Sequence, residues 1–245
     1  MNSRDIMAFI KAIVLAVAVV IVTLVFGVTA IILSPFNPSG NLVHLFARWW
    51  SRTLLWLGRI PVTILGLENV PLDRACILAS NHASAADIPI LFGRLPIQFR
   101  VIAKDALFRL PILGLCMRLA GYISIDRGSP AKAMRSLQRA VQKLQAGLPV
   151  LVFPEGTRSR SGELQPFHKG AFLLAIQAGV PVVPIGINGS FDILTSGSLR
   201  IRPGVEVAIV IGPPVETDTF SKKDREQLSE TVHAAVAGCL HGEMS

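Results

Sequence analysis

The chain has 245 residues, 51% of them hydrophobic, a formal charge of +8 and an isoelectric point near 10.0. That length and apolar content suffice for one well-buried core with an appendage and argue against two equal domains. The charge predicts affinity for polyanions, whether nucleic acid, anionic lipid surfaces or phosphorylated substrates; Cys76, Cys116 and Cys239, odd in number and scattered in apolar runs, exclude a disulfide framework and a metal site.

In chain order, the first element is an uncharged run from Ala12 to Leu33, rich in Val, Ile, Leu and Ala. As a helix it is long enough to cross roughly 30 Å of hydrocarbon, and it is too long for the apolar core of a signal peptide. It runs into Ser34-Pro35-Phe36-Asn37-Pro38-Ser39-Gly40, a turn without a convincing cleavage motif. A second helix is expected over 42–58. On its wheel Arg48, Arg52 and Arg59 fall within about 40° of one another, with Leu42, Leu45, Phe46, Trp49, Trp50 and Trp56 around much of the rest. Such a helix suits the headgroup boundary, with arginines on lipid phosphates and tryptophans in the interfacial belt. Residues 1–59 are therefore read as a membrane anchor and 60–245 as the globular α/β domain. Arg48, Arg52 and Arg59 outnumber Arg4 and Lys11, which places the globular part on the cytoplasmic side of the inner membrane.

Beyond Ile60, short apolar runs alternate with helical ones, as in an α/β sheet covered on both faces. Strands are expected near 61–66, 75–80, 99–103, 121–126, 149–153, 181–187 and 205–211. Helices fit 86–94, 105–119, 130–146, 168–178 and 221–240, with Ser129 and Pro130 marking the start of the third and Gly147 its end.

The strand Ala75–Ser80 leads into Asn81-His82-Ala83-Ser84-Ala85-Ala86-Asp87. An imidazole can take a proton from a hydroxyl, and a carboxylate on its far nitrogen fixes the tautomer and stabilises the imidazolium. Five helical positions turn a chain through about 500°, so His82 and Asp87 can meet only if the chain bends between them. His82 then lies in a loop at a strand's C-terminal end, where open α/β sheets put their sites. A lone His/Asp pair is more often structural than catalytic, so the argument rests on its surroundings. The strand at 149–153 runs into Pro154-Glu155-Gly156-Thr157-Arg158-Ser159-Arg160. There Gly156 lets backbone approach a ligand, Arg158 and Arg160 can bind phosphate, and Glu155 can accept hydrogen bonds from hydroxyls. The strand at 121–126 delivers Arg127 to an equivalent position. Together these cationic loops predict an anion site beside a general base.

Four blocks over residues 75–190 resemble, in order, those of the membrane-bound glycerolipid acyltransferases, most closely the bacterial 1-acylglycerol-3-phosphate acyltransferases. They are Asn81-His82 through Asp87, Gly121 through Arg127, Phe153 through Ser159, and Val183-Pro184-Ile185. The resemblance implies a mixed, largely parallel sheet flanked by helices. It also implies transfer of a fatty acyl group from acyl-CoA or acyl carrier protein to the free hydroxyl of 1-acylglycerol 3-phosphate, forming phosphatidic acid. His82 would be the base and Asp87 its orienting partner, with no covalent acyl-enzyme. Glu155, Gly156, Thr157 and Arg158 would hold the glycerol phosphate, helped by Arg127 and Lys104, while Asn81 and Pro184 would shape the pocket. Two departures from the family pattern stand out: His168 replaces a usual Lys, and Ala83, Ala85 and Ala86 replace bulkier residues. The small wall leaves room for another lysolipid acceptor, such as a lyso-ornithine lipid.

A thioester is already activated, so this chemistry calls for a base, oxyanion donors and positioning at a membrane, and for no metal or cofactor beyond the co-substrate. A thioesterase or phospholipase with Ser80, Ser84 or Ser190 as nucleophile lacks a Gly-x-Ser-x-Gly elbow. A nucleic-acid-binding role lacks aromatic residues among the basic loops, because Trp49, Trp50 and Trp56 all lie in the anchor.

Overall fold

The computed structural model describes residues 3–126, 128, 130–194 and 201–242. Seven short runs of β-branched and aliphatic residues form strands: β1 (Val62–Leu65), β2 (Ile77–Ser80), β3 (Arg100–Lys104), β4 (Ile123–Ile125), β5 (Val150–Val152), β6 (Val182–Asn188) and β7 (Val207–Ile211). They join in one sheet of order β1-β7-β6-β2-β5-β3-β4, parallel except for the antiparallel pair β6–β7. Residues such as Ile77, Leu78, Leu151, Val182 and Val183 are fully buried, which is why these strands read as continuous apolar runs rather than alternating ones.

Two apolar layers cover the sheet. Leu78, Leu151, Val183 and Ile185 point to one face, where α3 (Asp87–Arg94) packs through Ile90 and Leu91. Ile77, Val150 and Val182 point to the other, beneath α6 (Pro130–Gln145), α7 (Gly170–Ala178) and α9 (Arg225–His241), which contribute Ala140, Leu174 and Val232. The expectation of a largely parallel sheet flanked by helices holds, and two of the helices differ in their bounds. Ser129 and Arg127 lie outside the described residues.

The helix expected over 105–119 is instead two, α4 (Asp105–Phe108) and α5 (Leu113–Leu119). Pro111 supplies no N–H and disfavours helix before it, and Ile112 sits at φ 58°, rare for a β-branched residue. The last helix starts at Arg225 rather than 221, since Asp224 Oδ2 accepts from both the N–H and the hydroxyl of Ser221 and holds a turn there. A four-residue helix, α8 (Ser190–Ile193), was not anticipated.

At the N-terminus, α1 (Ser3–Leu33) and α2 (Asn41–Leu57) form the expected hairpin. The candidate span Ala12–Phe36 is only 6% buried, and Val14, Val25 and Ile32 are exposed. By contrast, α2 lays His44, Ser51 and Leu55 against α3, so it is as much a core helix as a surface one. Leu55 shares its cluster with Leu78 and Ile90, so packing continues across the boundary drawn at residue 59. The hairpin's turn is latched by Arg100, fully buried at the start of β3. It donates to the carbonyls of Ser39 and Phe99 and to Asn41 Oδ1 at 3.1, 3.0 and 2.6 Å. Gly40, at φ 78°, lets the same turn lie against the end of the segment Leu113–Leu119, since a Cβ there would lie 2.7 Å from the Leu119 carbonyl oxygen.

Candidate active site

Strands β2, β5, β3 and β4 stand side by side and parallel, so the loops at their C-terminal ends share one edge of the sheet. His82 follows β2, residues 153–160 follow β5, and Lys104 ends β3. Arg127, which would follow β4, lies outside the described residues.

The chain bends between His82 and Asp87 as the spacing requires. Asp87 opens α3, is fully buried, and accepts His82 Nδ1 on Oδ2 at 2.8 Å. The same oxygen accepts the N–H groups of Ala83 and Ser84, each at 2.9 Å. One carboxylate thus both folds the turn and orients the ring. Because Nδ1–H is committed to Asp87, the lone pair is on Nε2, and the side chain keeps 18% exposure. The ring stacks on Phe153 at 4.1 Å between centroids and 21° between planes, which fixes its tilt.

The loop after β5 also grips the backbone of His82 from both sides. Glu155 Oε1 accepts the His82 N–H at 2.6 Å, and Ser159 donates its N–H to the His82 carbonyl at 2.8 Å. Glu155 Oε2 accepts the N–H of Gln165 at 3.2 Å, and the residue is 4% exposed. Burial pushes its carboxyl up to about 7, against the opposing pull of the two backbone donors, and the nearby Asp87 carboxylate adds to the rise. Glu155 was expected to meet the substrate; in the structure one of its oxygens accepts from the backbone of His82 and the other from that of Gln165.

The structure engages Asn81 and Pro184 within the fold. Asn81 lines neither cavity described below: it donates from Nδ2 to the Ile187 carbonyl at 3.1 Å and accepts the Ile187 N–H at 2.8 Å. Its amide imitates a backbone unit and carries the β2–β6 pairing one residue further, just before the loop of His82. Pro184 is buried within β6, opposite Ala79, and accepts the Gly212 N–H on its carbonyl at 2.9 Å. It belongs to the sheet and lines neither cavity described below.

The phosphate-side residues are presented differently. Gly156 turns the chain at φ 76°, and Thr157 and Arg158 behind it are exposed, with no hydrogen-bond partner among the described residues. Lys104 is likewise exposed at the end of β3. His168 ties its N–H to the Pro154 carbonyl, and Lys169 pairs with Glu226 rather than entering the site. The serines considered as nucleophiles are all fully buried, and Ser84 donates its hydroxyl to the Leu194 carbonyl at 2.7 Å.

Beside the dyad lies an apolar cavity of about 310 Å³. Ala85 and Ile88 bring it to the His82–Asp87 turn, Ala103 and Tyr122 line it from the sheet side, and Gly27 and Phe46 close it from the hairpin. At Gly27 a Cβ would sit 2.6 Å from Ile112 Cγ2, so the glycine lets α1 form this wall against the strained residue that separates α4 from α5. Sequence reasoning found the dyad but missed the roles of Phe153, Ser159 and this cavity. Phe153 had one signal, its place immediately before the Pro154-Glu155 loop.

Comparison with known proteins places these features in context. The acyltransferase family model matches residues 61–188. A chloroplastic 1-acyl-sn-glycerol-3-phosphate acyltransferase of Brassica napus is 33% identical over 86% of the chain, which spans 65% of that relative's length. One of Pseudomonas aeruginosa is 30% identical over 87% of the chain and 83% of its own length. The crystal structure of the 1-acyl-sn-glycerophosphate (LPA) acyltransferase PlsC from Thermotoga maritima superposes with a TM-score of 0.81 at 27% identity, covering 96% of both chains.

Proposed function

This chain belongs to the acyltransferase family, and on that premise we propose that it moves a fatty acyl group from an acyl thioester to the free hydroxyl of 1-acylglycerol 3-phosphate, yielding phosphatidic acid. The observation that carries this reading is the junction of dyad and cavity: the turn that pairs His82 with Asp87 also supplies Ala85 to the apolar wall, and Ile88 follows Asp87 directly. A proton acceptor and a space for an alkyl chain meet at one point.

In this mechanism the acyl chain lies in the cavity, where each buried methylene contributes about 0.8 kcal/mol. Nε2 of His82 removes the acceptor's hydroxyl proton as its oxygen attacks the thioester carbonyl. Asp87 stabilises the resulting imidazolium. The tetrahedral intermediate collapses to the ester and expels the thiolate, which takes the proton back from His82. Arg158, Thr157 and Lys104 hold the acceptor's phosphate, joined by Arg127, and Glu155 positions His82 through its backbone. Membrane attachment through α1 brings lipid acceptor and enzyme together, with the catalytic domain on the cytoplasmic side of the inner membrane, where acyl-CoA and acyl carrier protein are found.

The test is an acceptor panel with the full chain in neutral detergent: lysophosphatidate, glycerol 3-phosphate, lysophosphatidylglycerol and lyso-ornithine lipid, each with acyl-CoA and acyl carrier protein donors. Ester formation with lysophosphatidate, and thiol release that depends on it, are expected. Thiol release without acceptor would instead indicate a hydrolase, and preference for lyso-ornithine lipid would keep the chemistry but change the substrate.

A further inference from the structure

The cleft at the end of α2 has no part in the proposed transfer. It is open, about 800 Å³ in volume, and lined by Arg52, Trp56, Arg59, Ile60 and Arg94 among others, with no Asp or Glu among its described lining residues. Three arginines therefore line one space with no carboxylate among its described lining residues. The linear sequence joined Arg52 and Arg59 to Arg48. In the structure Arg48 does not line the cleft, and Arg94, from the far end of α3, takes its place.

The arginines are held rather than loose. Arg52 donates Nε to the Gly93 carbonyl at 3.0 Å, and Arg94 donates one Nη to the Val62 carbonyl at 2.5 Å. Each spends one donor on backbone and keeps the others for a ligand, so part of the entropy of fixing the side chain is already lost before binding. Arg59 makes no hydrogen bond from its side chain among the described residues, and its backbone is unusual. Its N–H donates to the Trp56 carbonyl at 3.0 Å, and the next N–H, of Ile60, reaches back to Leu55 at 2.9 Å. This is the hydrogen-bond pattern that ends a helix with a left-handed residue, a position glycine normally fills. Here Arg59 occupies it at φ 50°. A residue that favours binding over local comfort is one sign of a functional position. The exposed ring of Trp56, 76% accessible, stands at the rim beside Ile60.

We propose that Arg52, Arg59 and Arg94 form a binding site for the phosphate of an anionic phospholipid headgroup, separate from the candidate active site. Guanidinium forks match phosphate oxygens bidentately, and an amphipathic tryptophan beside them suits the boundary between headgroups and acyl chains. The site lies at the end of α2, which packs along the exposed apolar α1, so a bilayer lipid is the phosphate source nearest to hand. Along α3, Arg94 lies about 10 Å from Asp87 at 1.5 Å per residue, and the cleft shares no lining residue with the apolar cavity. A lipid held here would anchor the open edge of the domain to the leaflet while leaving the dyad free.

Calorimetric titration of the full chain in neutral detergent tests this with four probes: water-soluble dihexanoyl phosphatidylglycerol, dihexanoyl phosphatidylcholine, inorganic phosphate and adenosine 3′,5′-bisphosphate. Saturable binding of the phosphatidylglycerol is expected, stronger than that of the phosphatidylcholine or of inorganic phosphate. Affinity should be unchanged in Arg158→Gln and at least about tenfold weaker in Arg59→Gly and in Arg94→Gln, given the strength of charged hydrogen bonds. Arg59→Gly relieves the left-handed strain, so its melting temperature should equal or exceed that of the parent, a combination that misfolding cannot produce. Loss of binding in Arg158→Gln would move the lipid to the active site. Tighter, competing binding by adenosine 3′,5′-bisphosphate would assign the cleft to a nucleotide-bearing donor. Absence of saturable phosphatidylglycerol binding, or its survival in Arg59→Gly and Arg94→Gln, would overturn the proposal.

Discussion

At His82 the geometry separates chemistry from stability. The ring rests on Phe153 and Asp87, but the surrounding turn is held by the Asp87 carboxylate and not by the imidazole. His82→Ala is therefore expected to lower kcat by about 10²–10⁴-fold while moving the melting temperature little, measured by thiol release and calorimetry on the same preparation. Glu155 behaves in the opposite way. Its carboxyl is held near 7 in the fold against an ordinary value of 4.5, so between these pH values the native chain binds the proton that the unfolded chain has released. The contribution to stability is complete below about 4.5, declines as pH rises, and is gone above about 7. Its size is at most on the order of 3 kcal/mol. Melting curves across this window should slope less in Glu155→Gln than in the parent, and an unchanged slope would count against this assignment. The polar motif residues were legible in the sequence as types and spacings. Their partners were not: Glu155 and Asn81 spend their side chains on backbone groups of His82, Gln165 and Ile187, and such bonds leave no mark on the residues they join.

At the scale of elements, the central strands were legible because full burial on both faces demands unbroken apolar runs, whereas helix ends depended on single residues. Pro111 split one predicted helix, and the Ser221–Asp224 turn delayed another. The docking of the hairpin was hidden for a related reason. Arg100 sits inside what reads as a strand, yet its guanidinium is the latch between β3 and the turn before α2. Lysine offers no planar fork and cannot reach the Ser39 and Phe99 carbonyls and Asn41 Oδ1 together. Arg100→Lys should destabilise the fold by about 2–4 kcal/mol, read from chemical denaturation, because at least one buried acceptor loses a charged donor. An Arg100→Lys chain as stable as the parent would show that water replaces the latch.

For the molecule as a whole, the amphipathic pattern of α2 was read as a membrane-surface signature, and half of that pattern is core packing instead. Trp49 and Trp56 remain exposed, but His44, Ser51 and Leu55 face the domain, a distinction one helical wheel cannot make when bilayer and core are both apolar. Replacing residues 3–33 with an unrelated apolar helix of equal length is expected to preserve membrane attachment while reducing acyl transfer at least about tenfold, measured on washed membranes at matched protein level, because packing contacts misplaced by an ångström can cost a hundredfold in rate. Unaltered activity would show that α1 serves only as a tether. The wall that Gly27 and Phe26 lend to the cavity makes the alternative clear. A segment that passes for a detachable anchor is then a component of the enzyme's interior, so its small residues answer to the fit of a ligand as well as to the thickness of a membrane. Modular exchange of membrane segments, harmless in proteins whose anchors end at a linker, would here reshape the cavity beside the candidate active site.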